Sequence, residues 1–221
     1  MDENLKSIWN KKIKKTTDNL KKNNMEVYFA NKKEDVLPIV KKLLKDGEMI
    51  ASGGSMSLSE SGVMDLLRSG KYEYLDRDGL TGDELRNLYR LSFTADTYLC
   101  SCNAITENGE LYNVDGTCNR IAAISYGPSS VITVVGYNKI VRDIDAAVKR
   151  VKSIAAPANC KRLSCKTYCS EMGECMSLSK SDDLASGCSG DTRICCSYLI
   201  SAYQRTKGRI KIILVGEELG Y

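Results

Sequence analysis

Short apolar runs of strand length alternate with amphipathic helices from residue 25 to residue 154, and that alternation leaves few folds open. Residues 25–30, 49–52, 72–75, 97–102, 111–114 and 131–135 read as strands; the last is almost wholly β-branched. Between them, Val36, Ile39, Val40 and Leu43 recur at helical spacing, with Gly47 as C-cap. Ser57-x-x-Glu60 and Thr81-x-x-Glu84 read as capping boxes opening two further helices. Residues 119–125 and 142–154 read as helices, and Leu5, Ile8, Trp9, Ile13 and Leu20 mark an amphipathic helix within residues 1–24. The expected fold is α/β: an open, mostly parallel sheet with helices on both faces. After Pro157 the pattern breaks into a cysteine-rich segment, residues 157–197, and recovers at 198–203 and 210–215. Those two runs predict an antiparallel C-terminal β-hairpin at a sheet edge. The 221 residues suit a single domain.

The chain has no histidine. That excludes a Ser-His-Asp triad, a Cys-His pair and imidazole metal ligands. Chemistry must rest on carboxylates, lysines, thiolates or a bound cofactor. The first 45 residues hold twelve lysines against six acids. Without interleaved aromatics or a reading motif, that excess is a solvated helix face, and no nucleic-acid partner is expected. No apolar run is long enough to span a bilayer, and residues 1–15 are too polar for a signal peptide. A cytoplasmic protein with no membrane span is expected.

Four polar loops follow strands, where open α/β sheets collect ligand groups. The first joins a strand to a helix through Gly53, Gly54, Ser55, Ser57 and Ser59. Paired glycines, hydroxyls and a helix N-terminus form either an anion site or a capped tight turn. The second carries Asn103 and Thr106, and the third carries Asp115, Asn119 and Arg120. Asn138 and Lys139 follow the strongest strand. Asp115, Glu60 and Lys139 are the candidates for proton transfer, and the remainder for holding a small anionic metabolite.

Seven of the ten cysteines fall between Cys160 and Cys196. Packing alone does not explain such density in a loop-rich segment. Thiolate sets select iron–sulfur centres or zinc, although neither zinc-ribbon nor ferredoxin spacing is present. The vicinal pair Cys195-Cys196 leaves thiol redox chemistry open as well.

Taken together, the run from Gly53 to Gly62, the run Asn103 to Leu111 continuing through Asn113-Val114-Asp115-Gly116 to Asn119-Arg120, Gly127-Pro128 and Gly136-x-Asn138-Lys139-Ile140-Val141 resemble the LUD-domain (lactate-utilisation) family, in its short form with C-terminal cysteines. The resemblance implies a fold similar to the NagB, ribose-phosphate isomerase and CoA-transferase group. It implies a part in oxidising L-lactate to pyruvate beside iron–sulfur partner proteins. It also implies Cys169, Cys175, Cys188 and Cys195 as ligands of an iron–sulfur cluster, with zinc as the alternative. A polar insertion between Met176 and Ser186 departs from the family pattern, and Cys165 could substitute as a ligand. An oxidoreductase component acting on a 2-hydroxy acid is the leading expectation. A non-redox binding or transfer protein for a phosphorylated or CoA-linked metabolite and a structural metal-binding protein stand as alternatives. A homo-oligomer is left open.

Overall fold

The computed structural model describes residues 2–180 and 183–221, so Met1 and part of the 176–186 insertion lie outside the described residues. Helix α1 (Glu3–Lys22) precedes β1 (Glu26–Ala30), α2 (Val36–Leu43), β2 (Met49–Ser52), α3 (Met56–Glu60) and α4 (Val63–Leu67). Then come β3 (Glu73–Leu75), α5 (Gly82–Leu91), β4 (Thr97–Cys100), β5 (Ala104–Thr106), β6 (Leu111–Asp115) and α6 (Asn119–Ser125). The chain closes with β7 (Ser130–Gly136), β8 (Ile140–Val141), α7 (Ile144–Arg150), α8 (Ala156–Arg162), α9 (Tyr168–Met172), β9 (Ser197–Ser201) and β10 (Ile210–Val215).

A six-stranded sheet in the order β1-β10-β7-β4-β2-β3 pairs in parallel throughout. Side chains of a strand alternate between faces, and β7 shows it: Val131 and Val135 enter one core cluster, Ile132 and Val134 the other. The first cluster is roofed by Trp9, Ile13 and Leu20 of α1 and by Ala123 and Ile124 of α6; the second by Val36 and Val40 of α2 with Leu58, Val63 and Leu67. Burial on both faces is why these strands read as continuous apolar runs. No helix among the described residues is long and apolar enough to cross a membrane.

Leu44 rather than Gly47 caps the end of α2, Thr81 precedes α5 without a side-chain capping bond, and the structure departs from the sequence expectation in three larger ways. The last two strands both form, but not as a hairpin. β10 lies between β1 and β7 in parallel, while β9 pairs antiparallel with β6 in a second, four-stranded sheet ordered β8-β5-β6-β9. The burial explains it: Leu214 and Val215 are fully buried, as a central strand requires, whereas β9 is only half-buried and suits an edge. The helix begun at α7 also does not stop before Pro157. It passes through one π-turn (Val151–Ala155) into α8, and Pro157 sits in that segment's first turn, where a missing N–H is tolerated. Finally, Ser55 rather than Ser57 caps α3, its Oγ accepting from the Leu58 N–H at 3.3 Å.

α1 is clamped to the turn between β5 and β6. Asn19 donates to the Glu107 carbonyl at 2.8 Å, and Asn23 to the Asn108 and Gly109 carbonyls at 3.1 and 3.0 Å. Gly109 has φ +85°, and a Cβ there would stand 2.7 Å from the backbone of Asn19 and Leu20. Gly109→Ala is therefore expected to lower stability by about 1–3 kcal/mol, read as a lower urea midpoint with an unchanged slope. An unchanged midpoint would show that α1 is not held against this turn.

Candidate functional site: a cationic cleft beside a thiol cavity

The C-terminal ends of β2, β4 and β6, the turn after β7, and α8 enclose a cleft of about 340 Å³. That volume lies within the ordinary range for small-molecule sites. Of the residues singled out in the sequence, Gly54, Ser55, Asn103, Asp115, Asn119, Arg120 and Lys139 line it. Gly53 and Ser57 stand behind the wall. A Cβ on Gly53 would meet Arg120 Cδ and Tyr98 Oη at 3.2 Å, so the glycine makes room for that arginine. Three candidates sit elsewhere. Thr106 is locked in the β5–β6 turn with Glu110. Asn138 pins the C-terminal residues, donating to the Gly220 carbonyl at 3.0 Å and accepting from the Leu219 N–H at 3.1 Å. Glu60 is exposed and accepts from the Gly220 N–H at 2.8 Å.

Arg120 holds the floor together. Its Nε donates to Asp115 Oδ1, and Nη1 to the Ser101 carbonyl and Asn113 Oδ1, each at 2.8 Å. Nη2 donates to Asn103 Oδ1 at 2.8 Å and to the Val114 carbonyl at 2.9 Å. The second Asp115 oxygen accepts from the Ile121 N–H at 2.9 Å. This guanidinium ties the loop after β4 to β6, and its donors are committed to the protein. Asp115 is committed equally. Both groups line the cleft while serving this internal network.

Lys139 differs. It is 3% exposed, and its ammonium donates to Ser57 Oγ at 3.0 Å and Ser101 Oγ at 3.1 Å. Among the described residues no carboxylate forms an ion pair with it. Burial, together with the nearby guanidiniums of Arg150 and Arg120, lowers its pKa to about 8. Two further cations reach the cleft: Arg77, which lies over Gly54, and Arg162, which donates to Tyr221 Oη at 2.7 Å. The sequence reading missed both. Arg77 follows the C-terminal end of β3, so the rule that selected the other loops also selects it.

Beside the cleft lies a second, narrower cavity of about 30 Å³, lined by Cys160, Cys169, Cys175, Cys188 and Cys195. The four cysteines expected as ligands thus surround one space. Cys165 does not line it, and Cys160 does, its Sγ 3.7 Å from that of Cys169. Cys160 was legible only by continuing the helix past Pro157, since Ala156 and Cys160 share a face of α8. Arg193 shapes the loop, donating to the carbonyls of Cys195, Cys188 and Ala185, each at 2.8 Å. Burial, reinforced by the sulfurs of Cys169, Cys175 and Cys188, pushes the Cys195 thiol up to about 12, and burial does the same to Cys160. Among the described residues no three cysteine, aspartate or glutamate side chains stand at metal-holding spacing. In kind, the donor set fits zinc or an iron–sulfur centre. Cys195 and Ile194 line both the cleft and the thiol cavity, so one thin wall separates the two.

A family model described as the LUD domain matches residues 13–215. The solved structure of a DUF162 family protein from Deinococcus radiodurans is 15% identical, with 94% of this chain and 98% of that chain covered and a TM-score of 0.52. At that identity it shows the fold alone. A structure of eIF2B delta from Chaetomium thermophilum is 21% identical over 49% of this chain and 47% of that one, with a TM-score of 0.32. No curated protein matches the chain.

Proposed function

We propose, from the premise that this chain belongs to the LUD-domain, lactate-utilisation family, that it binds a small 2-hydroxy acid such as L-lactate in the cleft and serves its oxidation to the 2-oxo acid together with a redox partner protein. The observation that carries this reading is the shared wall: Cys195 faces both the cationic cleft and the thiol cavity. Arg77 and Arg162 supply positive charge for the carboxylate of the acid, and Asn103 and Asn119 line the cleft between them. Lys139, with a pKa of about 8, yields the neutral amine far more readily than an exposed lysine and in that form can accept the hydroxyl proton.

Cys169, Cys175, Cys188 and Cys195, with Cys160 beside them, are the residues to hold the metal. An iron–sulfur centre there would supply one-electron transfer, and zinc would supply only a structural tie. Oxidising a 2-hydroxy acid removes two electrons and two protons, so a one-electron centre requires a further acceptor; this is the argument for a partner protein. The cavity as it stands has room for about one ion, and a polynuclear centre requires the surrounding loop to draw back.

Anaerobic purification with iron, sulfide and zinc analysis tests the redox half. The expected result is iron with sulfide, a visible absorbance band, and loss of both in Cys195→Ser. Stoichiometric zinc would overturn electron transfer in favour of the structural reading. Metal-free protein from an anaerobic preparation would end both. A second reading, a phosphorylated or CoA-linked metabolite, is favoured by a cleft roomier than a three-carbon acid needs. A rise in melting temperature with phosphate compounds but not with lactate or pyruvate would select it.

A further inference from the structure

Lys139 has the setting of a nucleophile as well as that of a base. Its amine lies in the cleft wall, 3% exposed, with hydroxyls as its only hydrogen-bond partners among the described residues. The groups around it are Arg120 and Arg150, both cationic; the thiol of Cys102, which burial keeps protonated; and Glu60, exposed and bonded to the Gly220 N–H. A lysine that is desolvated, set beside other cations and without a carboxylate in hydrogen-bond reach gives up its proton readily to become the free amine, the form that attacks carbonyl carbon. The cations Arg77 and Arg162 reach the same cleft and suit the carboxylate of a ligand whose carbonyl lies next to it.

We propose that Lys139 forms an imine with the carbonyl carbon of a small 2-oxo acid bound in the cleft. The inference rests on the reading of the cleft as a site for 2-hydroxy and 2-oxo acids, and adds to it a covalent step. The nitrogen lone pair attacks the carbonyl carbon, and a C–N bond forms as the carbonyl π pair takes a proton. The nitrogen gives up its two protons in turn, the first replacing the one taken by the carbonyl oxygen and the second protonating the resulting C–OH group, so that the C–O bond breaks and water leaves into the open cleft as the C=N bond forms. The products are the C=N bond and one water, with no change of oxidation state. Ser101, which lines the cleft with its Oγ 3.1 Å from the amine, is placed to relay those protons.

The test is reductive trapping on the full chain with sodium pyruvate and cyanoborohydride, run beside a melting-temperature titration with pyruvate alone. Expected is one reduced adduct, at least ~10-fold more abundant on Lys139 than on any other lysine. Trypsin then fails to cut after Lys139 and yields residues 121–142 as one peptide. Lys139→Arg is expected to lose the adduct while the pyruvate shift in melting temperature persists. A pyruvate shift with Lys139 unmodified would overturn the imine and leave the binding reading standing. Adducts spread over surface lysines would overturn the imine as well. Neither shift nor adduct would overturn both.

Discussion

Arg120→Ala is expected to be the most destabilising single substitution in the cleft, costing about 3–5 kcal/mol. The arginine and Asp115 are nearly buried, with side-chain exposures of 14% and 8%. Truncation strands the Asp115 carboxylate and removes the donors that bond Ser101, Asn103, Asn113 and Val114. Chemical denaturation should show the midpoint falling sharply. Arg120→Lys is expected to recover little, because an ammonium cannot reproduce the planar fork. Pairing Arg120→Met with Asp115→Asn should cost less than the two single losses added together, since the pair is removed as a unit. Strict additivity would show that the clasp is not one network.

Lys139→Met is expected to separate stability from function in the opposite sense. Replacing the buried amine with an apolar side chain of similar length leaves the fold intact or firmer, while turnover of a 2-hydroxy acid, with partner present, falls by about 10²–10⁴-fold. The pH dependence has a definite sign. The folded pKa of about 8 lies below the unfolded value of 10.5. Below pH 8 both states carry the proton, and the fold bears the full penalty of a buried charge. Between about 8 and 10.5 the unfolded chain binds more protons, so wild-type stability gains on the variant as pH rises, by on the order of 3 kcal/mol in total. A difference between the two proteins that stays flat across that window would show the amine to be solvated.

The parallel sheet was legible because its signals are local. A strand buried on both faces must be an apolar run, and β7 and β10 are such runs. Pairing is not local, and that is where the reading fell short. Nothing in residues 198–215 says that β10 crosses to the middle of one sheet while β9 joins another, since both facts depend on where β1, β6 and β7 already lie. The cleft follows the same division. Loops after strands could be found from the pattern, so Gly54, Asn103, Asp115 and Lys139 were placed at one rim. What each side chain does there depends on its partners. Arg120 and Lys139 are both basic residues after a strand, yet one is fully committed to the Asp115 carboxylate and to backbone and carboxamide acceptors, and the other faces the cleft without an ion-pair partner.

The position of β10 bears on how the molecule is made. With Ile210–Val215 absent, β1 has no strand to join it to β7, and only the four strands β7-β4-β2-β3 of the six-stranded sheet stay paired. A nascent chain therefore carries β1 to β9 out of the ribosome before β1 can be joined to the rest of its sheet. Until then the facing edges of β1 and β7 stand open and sticky. Synthesis halted before residue 210 should leave a species that binds holdase chaperones and yields quickly to protease, whereas release of the remaining residues lets the sheet snap shut.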